Sequence, residues 1–331
     1  MILRTIRTLS SRTLARRLAW ILHARVQCRI DALRLRLRHC KHARRLARLR
    51  DRTPGPDVTP ARLFAGVDDE FWYWSIQESY VERRQFEDIL PGFPDEATQM
   101  RFTGAAGGLT LWHAFRAYRM FRTLAADHGR AVPACRAVLD FGCGWGRIIR
   151  FFLKDIDATR LWGIDANPET IELCRRHDRW SRFELVTPSG PTSFPDGTFD
   201  LVYSFSVFSH FSEDMHVRWL EEIQRILQPG GLLLATTRPR DFIEQSALDR
   251  VRRPLSPYPE AIAGMFADTR RWLSAYDAGE YCYEPLPGMV GWGEACIPQT
   301  YVLRHWTKYF TLLDYIDDPR RCPQNVIVAR R

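Results

Sequence analysis

The architecture of this chain follows from ten residues, Val138-Leu139-Asp140-Phe141-Gly142-Cys143-Gly144-Trp145-Gly146-Arg147. An apolar run leads into Asp140, glycine then occupies every second position from Gly142 to Gly146, and an apolar segment follows Arg147. The first part predicts a buried strand and the last part a helix. A glycine loop between them is typical of a ligand site at the carboxyl edge of a parallel sheet, because bare main chain lets a ligand lie close.

The spacing of the glycines separates two classes of ligand. A dinucleotide site reads G-x-G-x-x-G and holds a pyrophosphate over a helix N-terminus. This chain instead has Gly142-x-Gly144-x-Gly146, and an acid, Asp140, precedes the first glycine. A carboxylate there repels a pyrophosphate and suits a cationic ligand. The pattern D-x-G-x-G-x-G after an apolar strand resembles the first motif of the class I S-adenosylmethionine-dependent methyltransferases, whose ligand carries an ammonium and a sulfonium group.

A second acid ends the next predicted strand. The sequence Leu161-Trp162-Gly163-Ile164-Asp165 puts a carboxylate 19 residues after Gly146. Such a carboxylate can accept hydrogen bonds from both vicinal hydroxyls of a ribose, and the resemblance implies that Asp165 holds the ribose of the cofactor. NAD would need the same contact, so this position alone does not separate the two cofactors.

A third segment does separate them. Residues 194–210, which contain a Pro-Asp-Gly turn and the apolar strand 199–202, resemble the fourth-strand motif of the same methyltransferases. The continuation from Trp219 to Gly231 resembles it too. The three motifs occur in the family's order, and the resemblance covers roughly residues 136–331.

Strands and helices alternate from residue 136 onward, the pattern of a parallel sheet with helices on both faces. The last two strands are joined by residues 317–323, too short for a parallel crossover, so this pair must be antiparallel. The predicted fold is α/β: a doubly wound, mostly parallel seven-stranded sheet with an antiparallel C-terminal hairpin, a helical N-terminal cap and a basic helical arm. The predicted strands are 137–141, 160–165, 182–187, 199–205, 231–237, 309–316 and 325–330, and the predicted helices 146–154, 168–178, 213–227 and 300–308.

Composition divides the chain into three parts. Residues 1–52 are predicted to form a basic amphipathic arm, residues 53–132 a linker and helical cap, and residues 133–331 the methyltransferase domain that the resemblance implies. Residues 239–300 interrupt the alternation with proline, glycine and aromatic residues, and they are predicted to be a long loop on the substrate side. The aromatic run Phe71-Trp72-Tyr73-Trp74 in the cap is interpreted as core packing.

The charge is unevenly distributed. Residues 1–52 carry a net charge of +14, which leaves −5 for the rest of a chain whose total is +9. The mildly acidic body therefore gives no indication of nucleic-acid binding. The eight cysteines are scattered without a C-x-x-C pair, so free thiols in a reducing cytoplasm are expected and no metal site is predicted. The arm lacks an apolar run that could span a bilayer, and no signal-peptide layout is recognised.

The arm allows several interpretations. Its apolar residues recur every three or four positions among arginines, the pattern of a basic amphipathic helix. The helix could lie on an anionic membrane surface, dock on a protein partner or on the body, or contact nucleic-acid phosphates, and an organellar transit peptide or a solvated extension would look the same. The apolar positions are Leu14, Leu18, Leu22, Val26, Ile30, Leu33 and Leu37.

The resemblance implies a set of cofactor contacts. Around the first two strands these are Asp140, Gly142, Cys143, Gly144, Gly146, Asp165 and Ala166. Ser204 and Phe205 follow the fourth strand and are expected beside the methionine part of the cofactor. The family often places an acid or amide after the third strand to meet the adenine, and Thr187 occupies that region here. Arg101 in the cap is a candidate for the cofactor carboxylate.

Methyl transfer from a sulfonium needs no metal and no covalent intermediate, and orientation in a dry site supplies much of the catalysis. A hydroxyl acceptor also requires a base, and His210 after the fourth strand is the best candidate, with His305 a weaker one. The predicted function is transfer of a methyl group from S-adenosylmethionine to a small-molecule or glycan-like acceptor, at oxygen. The alternatives are an RNA methyltransferase that uses the arm, a protein that binds the cofactor without transfer, and a nicotinamide dehydrogenase.

Overall fold

A computed structural model describes residues 11–52, 58–251, 265–288 and 291–331. Its helices are α1 (Ser11–Arg52), α2 (Pro60–Leu63), α3 (Asp69–Val81), α4 (Glu96–Thr103), α5 (Gly107–Asp127), α6 (Ile149–Phe152), α7 (Pro168–His177), α8 (Glu213–Ile226), α9 (Arg240–Val251), α10 (Thr269–Ala278) and α11 (Gln299–His305). Its strands are β1 (Val138–Phe141), β2 (Leu161–Asp165), β3 (Arg182–Leu185), β4 (Phe199–Ser204), β5 (Leu227–Thr237), β6 (Cys282–Pro285), β7 (Gly293–Cys296), β8 (Thr311–Ile316) and β9 (Asn325–Arg330).

Seven strands form one sheet in the order β3-β2-β1-β4-β5-β9-β8. The pairs β1–β2 and β2–β3 are parallel, whereas β9 runs antiparallel to both β5 and β8. The predicted fold class is therefore confirmed, including the antiparallel pair at the end of the chain. β4 is buried along its whole length, as expected for a central strand covered on both faces.

The chain forms two compact units. Of the described residues, the first unit comprises those within 23–186 together with 199–201, and the second comprises 11–22, 187–198 and those from 202 onward. In the first unit the aromatic run at 71–74 is buried, as the interpretation of core packing predicts. The indole N–H of Trp72 donates to the carbonyl of Phe151 at 2.9 Å, which ties α3 to α6.

From His23 onward, α1 packs on α3 within the first unit. Leu35 and Leu46 are buried, and the His42 ring packs against Phe71 and Trp74 with centroid distances of 5.5 and 5.4 Å. The Arg38 guanidinium donates to both Glu70 oxygens at 2.7 and 2.6 Å. Apolar burial and ion pairs thus hold one face of α1 on the cap. None of the described helices is both long enough and apolar enough to cross a membrane.

The insertion differs from its predicted loop. Residues 239–300 contain α9, α10 and an antiparallel hairpin of β6 and β7. Helix α10 begins where the Asp268 side chain accepts the Arg271 N–H and ends at Gly279 in the left-handed region, so both caps are encoded locally. The density of proline and aromatic residues concealed these signals. A second correction concerns the helix predicted at 146–154, because only Ile149–Phe152 is α-helical and turns precede it.

Candidate functional site

The glycine loop, residues 142–146 in the first unit, alternates left-handed glycines with ordinary residues. Gly142, Gly144 and Gly146 have φ values of 75°, 53° and 77°. The N–H groups of Gly142 and Cys143 both donate to the carbonyl of Ile164, at 2.8 and 2.9 Å. The loop is thereby fixed to the carboxyl end of β2, and only glycine adopts such a repeat without strain.

The buried Arg150 supports the loop from behind. Its Nε donates to the carbonyl of Gly146 at 3.0 Å, and its Nη1 donates to the carbonyl of Gly92 at 3.1 Å. Burial lowers the pKa of this guanidinium to about 10, so it remains charged at neutral pH. Sequence reasoning missed this residue, because a buried arginine in an apolar helix has no distinguishing spacing.

Asp165 at the end of β2 is tied to the same loop. Its Oδ2 accepts the N–H of Gly144 at 2.9 Å, and its Oδ1 accepts the N–H of Asn167 at 2.9 Å. Burial raises the pKa of this carboxyl, while the main-chain donors oppose the rise. Each carboxylate oxygen can accept a second hydrogen bond, so the arrangement suits a ligand with two adjacent hydroxyls.

Gly144 faces open space. A Cβ atom built on it would meet no described atom within 4 Å, whereas one on Gly146 would contact the Cys174 sulfur at 3.4 Å. Because the Asp165 carboxylate holds the N–H of Gly144, the open space and the carboxylate lie at the same main-chain position. This is the cradle that a ligand pressed against bare backbone requires.

The remaining predicted contacts in the first unit vary in exposure. Asp140 and Cys143 are buried, with 2% and 4% exposure, and Ala166 is exposed. Arg101 is exposed and ion-paired with Glu169, Nη1 to Oε2 at 2.9 Å. Its predicted contact with a cofactor carboxylate would require Arg101 to leave this pair.

A cleft of about 200 Å³ in the first unit lies elsewhere. It is lined by basic and aromatic residues that include Arg83, Arg176, Arg179 and Trp180. None of the predicted site residues lines it, so we do not assign the predicted chemistry to this cleft.

His210, in the second unit, lies against the β6–β7 hairpin. Its ring stacks on Trp292, with the centroids 4.9 Å apart and the planes at 14°. Its Nδ1 is 2.9 Å from the carbonyl oxygen of Gly293 and 3.3 Å from Oε1 of Glu294. Since both partners are acceptors, Nδ1 carries the proton and Nε2 keeps its lone pair. This is the tautomer that a general base requires.

Glu294 and Arg238 form a buried ion pair behind His210. Glu294 is fully buried, and its Oε2 accepts from Arg238 Nε at 3.0 Å. Burial opposes ionisation of Glu294, yet the charge of Arg238 and the hydrogen bond from the His210 ring lower its pKa to about 2. Sequence reasoning missed both residues because they lie far from His210 along the chain. The only available signal was that both fall in or beside the insertion.

The loop that carries His210 is tied to two strand ends. Ser206 has a φ of 64°, an uncommon value for a residue other than glycine. Its N–H donates to Thr236 Oγ1 at 2.8 Å, and its Oγ accepts from Gln324 Nε2 at 2.8 Å. These bonds explain how a strained conformation persists here.

Three other predicted cofactor contacts lie in the second unit. Ser204 is buried and Phe205 is half-buried at the start of the loop that carries His210. The Thr187 Oγ1 donates to the carbonyl of Gly190 at 3.0 Å.

The Glu294 pair makes a testable contribution to stability. A carboxyl whose pKa falls from 4.5 to about 2 on folding stabilises the native state by about 3 kcal/mol at neutral pH. This contribution is complete above the unfolded pKa and is lost as the pH falls toward 2. The difference in unfolding free energy between the wild type and Glu294→Gln, measured in urea, should therefore shrink by about 2 kcal/mol from pH 7 to about pH 3. A difference that is independent of pH would contradict the assignment.

Comparison with known proteins identifies part of the chain. Residues 138–231 match the model of a family described as a methyltransferase domain. A fatty-acid O-methyltransferase of Mycolicibacterium smegmatis is 34% identical over 46% of this chain and 63% of its own length. A phthiotriol/phenolphthiotriol dimycocerosates methyltransferase of Mycobacterium ulcerans is 30% identical over 36% of this chain and 44% of its own length.

A third curated relative and a solved structure, both methyltransferases, also match part of the chain. A 2-methyl-6-phytyl-1,4-hydroquinone methyltransferase of Synechocystis is 31% identical over 31% of this chain and 32% of its own length. The chain thus matches between about a third and two thirds of the length of these curated relatives. A crystal structure of an S-adenosylmethionine-dependent methyltransferase from Clostridium acetobutylicum aligns with 65% of this chain and 90% of its own, with 10% identity and a TM-score of 0.44.

Proposed function

We propose that this chain, whose residues 138–231 match a methyltransferase-domain family, transfers a methyl group from S-adenosylmethionine to a hydroxyl oxygen of a lipid-like small molecule. The observation that carries this proposal is the Asp165 carboxylate bound to the N–H of Gly144 at 2.9 Å, beside open space on the glycine loop. Asp140 precedes this loop, and its negative charge suits a cation.

The residues of the first unit fit the cofactor. The two Asp165 oxygens each accept one main-chain N–H and have capacity for the two ribose hydroxyls. Gly144 leaves the room that a ligand against the main chain needs. When bound, S-adenosylmethionine supplies a methyl group on a positively charged sulfur, which leaves as a neutral thioether.

A hydroxyl acceptor must lose its proton as its oxygen becomes an ether oxygen. We assign this proton to Nε2 of His210, because Nδ1 is occupied by Gly293 and Glu294. The stacked Trp292 ring and the buried Glu294–Arg238 pair hold the imidazole in this orientation. Glu294 also stabilises the imidazolium that forms when Nε2 takes the proton. His210 is therefore the proposed base, and Glu294 is a positioning residue.

Two observations support a lipid hydroxyl as the acceptor: the names of the relatives and the presence of His210 as a proposed base. The three curated relatives are named for fatty acids, for dimycocerosates and for a phytyl hydroquinone. These compounds share long apolar chains and carry an oxygen function. A base such as His210 is needed for a hydroxyl and not for an ionised carboxylate, which favours a hydroxyl of a lipid over a free fatty acid.

Labelled methyl transfer tests the proposal. The full chain is incubated with S-adenosylmethionine carrying a radioactive methyl group and with lipid extracts, polar metabolites or total RNA in separate reactions. We expect label in an alkali-stable ether in the organic phase. Label confined to RNA, or to an ester cleaved by mild base, would overturn the acceptor class. Cofactor binding without transfer to any fraction would indicate a protein that binds without catalysis.

Asp165→Ala provides the matching binding test. Loss of a charged acceptor for the ribose should weaken S-adenosylmethionine binding by about 1.5–3 kcal/mol, which corresponds to an increase in Kd of roughly ten- to 150-fold. Asp157→Ala is the control, because Asp157 also accepts a nearby main-chain N–H, that of Thr159 at 2.9 Å, yet lies outside the glycine loop. Isothermal titration calorimetry should show normal affinity for Asp157→Ala. Equal affinities of Asp165→Ala and the wild type would exclude the ribose role.

A further inference from the structure

Helix α1 presents apolar residues on two opposite faces. One face, with Leu35 and Leu46, is buried against the cap. The other carries the apolar stripe, which we define as Val26, Ile30, Leu33 and Leu37, with side-chain exposures of 46%, 39%, 58% and 78%. Burial against the described part of the chain therefore accounts for the first face and leaves the stripe in solvent.

The stripe is continuous and flanked by positive charge. At 100° per residue its four members fall within an arc of about 60°, roughly opposite the buried face. Exposed basic residues border it on both sides, Arg25, Arg29 and Arg36 on one and Arg34 and Lys41 on the other. Beyond Leu37 the same line of the helix continues as Arg44 and Arg48.

Ion pairs with the cap do not neutralise this border. Among the described residues of α1, the arginines that pair with acids of the cap are Arg38 with Glu70 and Arg45 with Asp68, and they lie toward the buried face. Arg34 lies 3.7 Å from Asp31 on its own helix, an exposed pair of small energetic value. The aliphatic side chains of the stripe are therefore bordered by a surplus of positive charge.

We propose that the apolar stripe of α1 lies on the surface of an anionic lipid membrane, with the aliphatic side chains at the acyl boundary and the arginines on the headgroup phosphates. An interfacial helix has this composition, an apolar strip between lysine and arginine residues. A second copy of the chain is disfavoured, because two such stripes would bring their arginines together. RNA is disfavoured as well, because binding to its phosphates uses the cations and gives no role to the four exposed aliphatic side chains.

This surface is independent of the proposed reaction but compatible with its acceptor. A lipid acceptor is concentrated in a membrane, so an enzyme held at that membrane meets it at high local concentration. The described contacts of α1 with the cap place the helix from His23 onward, and with it the stripe, on the unit that carries the glycine loop. Binding to vesicles can be measured without an acceptor or cofactor, so the failure of one proposal is distinguishable from failure of the other.

Co-sedimentation with vesicles tests the stripe. The full chain is mixed with vesicles of phosphatidylcholine alone or with about a third phosphatidylglycerol, at low and at physiological salt. We expect strong partitioning only to the anionic vesicles, weakened by salt. The triple variant Ile30→Gln/Leu33→Gln/Leu37→Gln should reduce the partition coefficient at least about tenfold, since each side chain loses favourable burial of apolar surface.

Matched controls separate the stripe from general effects. Val81 and Leu303 are exposed to 69% and 52% outside the stripe, so Val81→Gln/Leu303→Gln should partition like the wild type. Arg25→Gln/Arg29→Gln/Arg36→Gln should lower the partition coefficient on anionic vesicles at least about tenfold, because each removed arginine weakens the attraction to the anionic surface. Circular dichroism and thermal unfolding establish that each variant is folded. The proposal would be overturned if the Ile30/Leu33/Leu37 variant had the partition coefficient of the wild type, or if the wild type did not bind anionic vesicles.

Discussion

His210→Ala should lower kcat by about 10²–10⁴ with a hydroxyl acceptor, the range for loss of a positioned general base. The reason is the tautomer fixed by Gly293 and Glu294, which leaves Nε2 as the basic atom. Affinity for S-adenosylmethionine should change little, because the residues proposed to bind the cofactor remain intact. Single-turnover transfer of a labelled methyl group measures the chemical step, and calorimetry measures the binding.

His305 offers the matched control for this variant. Its ring stacks on Tyr301 with a centroid distance of 4.0 Å on α11, which is a packing role. His305→Ala should therefore retain turnover within a few-fold of the wild type, although His305 is the second candidate for the base in the sequence. Normal turnover of His210→Ala would reject the base role and would favour an acceptor that is already ionised, such as a carboxylate.

Gly144→Val should abolish binding of S-adenosylmethionine while the fold persists. The substitution places a branched side chain in the open space that the ligand requires, at a residue with φ of 53°. A β-branched residue at a positive φ also costs about 1–3 kcal/mol of stability. Calorimetric titration with S-adenosylmethionine and S-adenosylhomocysteine should therefore show no heat of binding, while circular dichroism remains native-like.

Gly129→Val separates backbone strain from loss of the cradle. Gly129 has a φ of 78°, and an added Cβ would also meet no described atom within 4 Å, but Gly129 follows α5 and is not part of the glycine loop. It should lose similar stability and keep normal affinity. Equal affinity of both variants for the cofactor would reject the proposal that the cofactor occupies the open space at Gly144.

Local patterns were sufficient to predict the frame of the fold. The alternation of apolar strands with capped helices predicted the sheet, and the short connection 317–323 required the antiparallel pair of β8 and β9 that the structure shows. The apolar periodicity of the arm also predicted its helix over the described residues. It did not predict which face packs on the cap, because the buried face depends on Glu70 and Trp74, distant in the sequence.

Tertiary contacts account for what the sequence could not predict. Glu294 and His210 are brought together by the β6–β7 hairpin, and that hairpin lies in a segment predicted to be a loop. Arg101 was a candidate for the cofactor carboxylate on the basis of charge alone, and its ion pair with Glu169 depends on the packing of α4 near α7. The assignment of the arm, cap and methyltransferase parts at residues 52 and 132 stays a prediction.

The choice between sulfonium and dinucleotide ligands is the centre of this account. Calorimetric titration of the purified full chain with S-adenosylhomocysteine, S-adenosylmethionine and NAD decides it most directly. We expect one molecule of either sulfur compound to bind per chain and NAD to give no heat. Binding of NAD, with no response to the two sulfur compounds, would contradict the account.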